Sequence, residues 1–251
     1  MQNTILQVND VSLNYYDKNF ETKALQSISF NVLEGEFVSI VGPSGCGKSS
    51  LLSIIAGLLT ECSGEVLVTD NMAVGYMLQK DYLFEWRTIW QNTLLGLEIQ
   101  NILTEEKKDY VTNLLKKYGL YEFKDHKPSQ LSGGMRQRAA LIRTLAIEPK
   151  ILLLDEPFSA LDYQNRLAVS DEIASIIKTE RKTAILVTHD IAEAVSLSDR
   201  VIVLSKRPAV VKSIHETKFS QENLTAIEKR ETAEFRKYFN NIWKELEQNV
   251  L

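Results

Sequence analysis

The sequence predicts an α/β fold, on three observations. The run GPSGCGKSS follows the apolar segment FVSIV and precedes LLSIIAGLL, a glycine turn set between a buried strand and a buried helix. Further on, ILLLD and TAILVTHD are continuous apolar runs alternating with helical segments, as expected of parallel strands covered on both faces. Between them, from about residue 86 to 145, the apolar spacing becomes helical.

In chain order, the first 40 residues alternate apolar and polar positions in the short runs ILQV, VSLNYY, ISFNVL and FVSIV. These read as antiparallel strands feeding a buried one. GEVLVTD and VGYML read as a second small strand pair. VTNLLKKYGL is an amphipathic stretch that ends at Gly119. From Gln221 on, Phe235, Tyr238, Phe239, Ile242, Trp243 and Leu246 share one helical stripe. That stripe is expected to pack on its own subunit, with a dimer contact as the alternative. No repeat or linker marks an independent second domain. The expected division is residues 1–220 as one nucleotide-binding unit, with a helical subdomain at about 86–145, and 221–251 as a helical extension.

With 251 residues, the chain is long enough to bury a core without staples. A formal net charge of −4 argues against binding nucleic acid or being held on lipid by basic clusters. Two cysteines, Cys46 and Cys62, are too few for a disulfide framework and lack zinc-site company, which fits a reducing cytosol. No window approaches the roughly eighteen apolar residues of a membrane span, so any membrane role is expected to come through a partner.

Gly42, Pro43, Ser44, Gly45, Cys46, Gly47, Lys48 and Ser49 fit G-x-x-x-x-G-K-S/T, and Ser50 follows on the same helix start. Such a loop turns backbone N–H groups toward phosphate oxygens, and the helix N-terminus adds partial positive charge. Lys48 is expected on the β- and γ-phosphates, and Ser49 on Mg²⁺, which prefers hard oxygen ligands. Cys46 reads as a small loop residue. Asp155 and Glu156 stand at the C-terminal edge of ILLLD, where open α/β sheets bind ligands. An aspartate there suits Mg²⁺, and a neighbouring carboxylate can deprotonate water, a role worth about 10² to 10⁴ in rate.

Leu131, Ser132, Gly133, Gly134 and Met135, followed by Arg136, Gln137 and Arg138, resemble the signature motif of the ATP-binding cassette (ABC) ATPases. Gln79 stands as that family's Q-loop glutamine, Ser159-Ala160-Leu161-Asp162 as its D-loop and His189 as its switch histidine. The resemblance covers roughly residues 4 to 210. It implies a P-loop NTPase core sheet with an antiparallel β subdomain and an α-helical signature subdomain, hydrolysing ATP with Mg²⁺ held by Ser49, Gln79 and Asp155. It further implies head-to-tail dimers, in which Ser132, Gly133, Gly134 and Asp162 act on the ATP across the interface. Glu156 is the expected base and His189 the γ-phosphate sensor. Tyr15 aligns with the aromatic that stacks on adenine, a contact worth about 1–3 kcal/mol. Strand alternation sends Tyr15 and Tyr16 to opposite faces, so only one can stack. Arg136, Arg138 and Arg143 read as surface and salt-bridge residues.

The segments LFEWRT and THDIAEAVSLSDRVIVLSKRP and the late ETAEFRKYFNNIWKEL are similar to the nitrate, sulfonate and taurine importer ATPases, with pyrimidine and other heterocycle importers as relatives. That likeness implies a separate membrane permease, received in a groove near Tyr82, Phe84 and Trp86, and an external solute-binding protein. It places the chain at the cytoplasmic face of the membrane. A soluble ABC ATPase with a non-transport partner is the alternative; a cassette that only scaffolds is disfavoured by intact Lys48, Asp155, Glu156 and His189. Two departures stand out: the short connection Asn71-Met72-Ala73-Val74, and Glu85 where relatives often have proline. Trp90, in the following helical stretch, reads as either core or groove.

Overall fold

The computed structural model describes residues 3–17, 20–60, 62–69, 74–159, 161–221 and 224–247. Asn71, Met72 and Ala73 of the short connection, and Ala160 of the D-loop, lie outside the described residues.

Two sheets carry the molecule. Strands β1 (Thr4–Asp17), β2 (Phe20–Leu33) and β4 (Ser63–Val68) form an antiparallel sheet in the order β2-β1-β4. The second sheet runs β5 (Val74–Met77), β6 (Ile151–Asp155), β7 (Thr183–Val187), β3 (Phe37–Val41), β8 (Arg200–Leu204) and β9 (Val211–Glu216). Its first five strands are parallel, and β9 closes the edge antiparallel to β8.

Two expectations need correction. The opening runs ILQV and VSLNYY join into one 14-residue strand. Asp10, with φ +52°, falls in a register shift between Val8 and Val11, so the irregularity bends the pairing without ending the strand. GEVLVTD and VGYML do not pair with each other: β4 pairs with β1, whereas β5 enters the parallel sheet beside β6. Burial explains the split. β4 is half-exposed along its length and suits a sheet edge; Gly75 and Met77 of β5 are buried.

Strand alternation sorts the core. Leu152, Leu154, Ala184 and Leu186 pack into a cluster with the helical region and α5 (Tyr163–Thr179). Their neighbours Ile151, Leu153, Ile185 and Val187 pack into a second cluster with α1 (Lys48–Ile55) and the antiparallel sheet. Each such side chain contributes about 1.5–3 kcal/mol by leaving water. Both faces being covered accounts for the unbroken apolar runs.

The helical region contains α2 (Ile89–Ile99), α3 (Glu105–Lys117) and α4 (Gly133–Ala146). Thr88 caps α2 through a reciprocal box with Gln91, at 3.2 and 3.0 Å. The chain leaves α3 through Gly119, at φ +68°. After α6 (Ile191–Leu197), the chain ends in α7 (Ala226–Glu231) and α8 (Ala233–Glu247). Phe235 and Ile242 are buried against Ile191, Val195, Val201 and Val203, so the tail stripe packs on its own chain. Trp243 stacks on Phe239 and stays half-exposed.

Candidate functional site

The C-terminal edge of the parallel sheet gathers most of the residues singled out above. The phosphate loop leaves β3 and turns into α1 through Gly45 (φ +72°) and Gly47 (φ +116°), which cap the turn in left-handed backbone. A Cβ at Gly47 would meet Leu25 Cδ2 at 2.8 Å, which adds crowding to the left-handed φ that favours glycine there. The buried Lys48 ammonium donates to Gly42 O at 2.9 Å and Pro43 O at 3.2 Å, which holds it over its own loop. Cys46 is buried, and burial pushes its thiol above the ordinary range; it is inert packing.

Ser49 Oγ donates to Asp155 Oδ1 at 2.9 Å, joining the start of α1 to the end of β6. Tyr76 OH donates to Asp155 Oδ2 at 3.3 Å. Burial is the main cause raising the Asp155 carboxyl above its usual range, with Glu156 adding to it and the bonds from Ser49 and Tyr76 opposing it. Tyr76 was not foreseen. It comes from β5, which lies beside β6 only once the sheet is assembled, and no local motif marks it.

Beyond Asp155, Glu156 adopts φ +44°, a left-handed conformation uncommon outside glycine and concentrated at functional sites. Its N–H donates to Val187 O at 2.8 Å, which anchors the strained residue on β7. Glu156 Oε2 is met from two sides, by His189 Nδ1 at 3.1 Å and Gln79 Nε2 at 3.5 Å. Gln79 Nε2 also reaches Ser159 Oγ at 3.3 Å. Gln79 and His189, 110 positions apart in the chain, thus converge on one carboxylate oxygen. Behind His189, Thr188 donates to the buried Glu193 at 2.7 Å, and Asp190 caps α6 by accepting from Ala192 N and Glu193 N.

Tyr15 OH pairs with Ser50 Oγ at 2.8 Å, against the helix that follows the phosphate loop. Tyr16 instead meets Glu21, its register partner on β2, and is more exposed. Of the two, only Tyr15 stands beside the loop.

Ser132 and Asp162 lie at helix N-termini. Ser132 caps α4 by accepting from Met135 N at 3.3 Å, which leaves its hydroxyl proton free to donate. Gly133 and Gly134 form the first turn, whose N–H groups point outward. A Cβ at Gly134 would lie 2.8 Å from Val169 Cγ2, so the glycine lets α4 approach α5. Asp162 caps α5 by accepting from Asn165 N at 3.1 Å and Asn165 Nδ2 at 2.6 Å.

A matching family model, described as ABC transporter, covers residues 25–159, more than half of the chain. The chain belongs to the ABC transporter family. The Bacillus subtilis (strain 168) protein YtlC, an ABC transporter ATP-binding protein, is 44% identical over 249 residues, 97% of this chain and 96% of its own length. The nitrate import ATP-binding protein NrtD of a Synechocystis strain is 39% identical over 82% of this chain and 80% of its own. The taurine import ATP-binding protein TauB of Roseobacter denitrificans is 38% identical over 82% and 79%. Among solved structures, a dimeric post-hydrolysis state of the ATP-binding cassette MJ0796 bound to ADP and Pi matches with a TM-score of 0.72. It is 32% identical and spans 86% of this chain and 100% of that one. The fold is that of an ABC ATPase, and the protein binds and hydrolyses ATP.

In this ABC ATPase, the segment after Gln79 is held by α4. Arg143 donates to Asp81 O at 2.7 Å and Tyr82 O at 2.8 Å, and Arg136 Nε pairs with Asp81 Oδ2 at 3.2 Å. Burial lowers the Arg143 guanidinium below its usual range, opposed by Asp81, so the surface reading of this arginine is corrected. Arg136 and Arg138 do form ion pairs, with Asp81 and Glu172. Tyr82, at φ +44°, projects outward at 57% exposure, and Trp86 stacks on Phe84 at 4.6 Å with 70% of its own surface open. Trp90 packs against the core of the helical region. Glu85 accepts from Ser129 N at 3.1 Å, which ties this segment to the loop before the signature. Among the described residues, no helix is long and apolar enough to cross a membrane.

Proposed function

We propose that the chain is the ATP-hydrolysing subunit of an ABC importer, which dimerises on ATP to drive uptake of a small nitrate-, sulfonate- or taurine-like solute through a separate permease. The observation that carries it is the meeting of His189 and Gln79 on Glu156 Oε2, beside a phosphate loop already joined to Asp155 through Ser49. Glu156 takes the proton of the attacking water; His189 orients the carboxylate and senses the γ-phosphate; Gln79 reports that state to the segment behind it. Lys48 shifts from the loop carbonyls to the phosphate oxygens, which offer it full negative charge.

The donor set fits Mg²⁺. The Ser49 hydroxyl and Asp155 carboxylate meet at one strand edge, with the Gln79 amide beside Glu156, and all three residue types carry hard oxygens; no cluster of three His, Cys, Asp or Glu side chains among the described residues offers a metal cage. That suits an ion that keeps waters and shares phosphate oxygens. When bound, Mg²⁺ neutralises charge developing on the transferred phosphoryl group.

Tyr15 stacks on adenine. Ser132, Gly133 and Gly134 receive the γ-phosphate held by a second copy of the chain, with Asp162 beside them at the same face. Residues 1–220 act as the nucleotide-binding unit, with 86–145 as its helical subdomain and 221–251 as an extension. Tyr82, Phe84 and Trp86 receive the permease at the cytoplasmic face of the membrane, and an external solute-binding protein delivers the solute. The dimeric MJ0796 cassette and the nitrate, sulfonate and taurine import relatives support this reading. Purification of the chain from its native membranes tests it: a stable complex with a multi-span permease, whose ATPase rises with solute, is expected, and failure to associate with any multi-span protein overturns the transport assignment.

A further inference from the structure

The edge of the six-stranded sheet opposite the phosphate loop carries a cavity of about 650 Å³. Phe37, at the start of β3, floors it; the C-terminal ends of α5 and α6 wall it; and the start of α7 covers it. The volume is that of an ordinary small-molecule site, about 300–1,000 Å³.

Its electrostatics set it apart in an acidic protein. Lys178, Arg181, Lys182 and Lys229 line it, and none of them forms an ion pair or a side-chain hydrogen bond among the described residues. Lys229 Nζ stands instead over the Phe219 ring, 5.0 Å from its centre. Two carboxylates also line the cavity, and each spends an oxygen on backbone. Asp171 accepts from Ala226 N at 2.6 Å and Asp199 from Phe37 N at 2.9 Å. Burial is the main cause lowering both Lys182 and Lys229 from the ordinary lysine range; at Lys229 it is opposed by Asp199 and Asp171 and aided by Lys178, and at Lys182 it is aided by Lys150 and opposed by Glu148 and Glu180. Lys182 and Lys229, part-buried and without an ion pair among the described residues, lose hydration that an anion would restore, while Lys178 and Arg181 stand exposed at the rim. Lys178 and Lys229 each stand in the last turn of a helix, α5 and α7, so the helix ends account for two cations, but not for Arg181 and Lys182, which follow α5 and line the same cavity.

We propose that this cavity binds a small organic oxyanion, its carboxylate, sulfonate or phosphate group held by these cations and its apolar body resting on Phe37, Leu197 and Leu224. The site is separate from the nucleotide site, since it opens at the start of β3 whereas the phosphate loop follows the end of that strand. Its occupant bridges α5 and α6 to the C-terminal extension.

The test uses the full chain saturated with ADP, so that the phosphate loop is occupied, and benzenesulfonate as probe in titration calorimetry. Saturable one-to-one binding is expected, with neutral benzenesulfonamide not binding. Lys182→Gln and Lys229→Gln are each expected to weaken it about tenfold, the worth of one charged hydrogen bond, with ADP affinity unchanged. Amide exchange across residues 224–231 is expected to slow when the probe is bound. Absence of saturable binding at millimolar probe, equal binding of the sulfonamide, or indifference to both substitutions would overturn the proposal. Inorganic sulfate is expected to bind more weakly than benzenesulfonate; equal affinity would overturn the apolar part of the assignment. If either lysine variant fails to fold, the exposed Arg181→Gln serves the same purpose.

Discussion

The phosphate loop and the segment from Gln79 to Trp90 both lead away from the parallel sheet, yet they are held in place by different means. The loop is fixed within itself: left-handed glycines at 45 and 47, a helix start, and a lysine bonded to carbonyls six and five residues behind it. The Gln79 segment is fixed from a distance, by Arg136 and Arg143 reaching across from α4, 55 to 62 residues along the chain. A self-contained loop keeps its shape when the rest of the molecule moves. A segment tethered to α4 moves with α4, which suits the one proposed to report nucleotide state.

Four substitutions break or sharpen that contrast. The largest effect is expected from Glu156→Gln, which removes the proposed base but leaves the phosphate loop untouched. Phosphate release should fall by about 10² to 10⁴ with ATP affinity retained, and undiminished turnover would remove Glu156 from its role. Next comes Arg143→Ala, which strips two charged hydrogen bonds from the backbone after Gln79. A loss of about 2–4 kcal/mol in denaturant unfolding is expected, partly restored by Arg143→Lys. Nucleotide affinity, set by the self-contained loop, should change far less than turnover; parallel losses would mean the two regions are not independently held.

Asp155→Asn probes the junction between them through pH. Burial raises the folded-state pKa of Asp155 above its unfolded value, so ionising this carboxyl in the fold costs stability. That cost is absent below the unfolded value of about 3.9 and grows as pH rises through the raised folded value. The variant should therefore melt higher than the parent at pH 7 and no higher near pH 3.5, while losing Mg²⁺-dependent hydrolysis. Equal melting at both values would show that the bonds from Ser49 and Tyr76 outweigh burial.

The smallest effect on the isolated protein is expected from Trp86→Ala. With so much of its ring open, stability should shift by no more than about 0.5 kcal/mol. ATP hydrolysis in the isolated protein should be unchanged and assembly with the permease weakened. Unchanged assembly would remove Trp86 from the groove.

Legibility in the sequence followed the range of the interaction. The phosphate loop, the acids after ILLLD and the signature could be read because each is a local device, glycines or caps at a helix start beside an apolar strand, and local rules need only neighbours in sequence. The strand pairing of β4 and β5 was misread for the converse reason: both are short, and which sheet each joins depends on β1 and β6, far along the chain. Arg143 looked like a surface and salt-bridge residue because it is one of three arginines along one helix of an acidic protein. The helix face that carries it is covered by a loop that periodicity cannot see.

By itself, then, the sequence determined the chemical parts: a phosphate loop, two carboxylates, a histidine, a glutamine and a helix start ready for an anion. Only the tertiary structure decided that Gln79, Glu156 and His189 share one oxygen, that Tyr76 joins Asp155, and that Tyr15 rather than Tyr16 stands beside the loop. The reason is physical. Glycine, proline and capping residues act on their own few dihedral angles, whereas a contact between elements 33 to 79 residues apart exists only once apolar burial has stacked those elements in order.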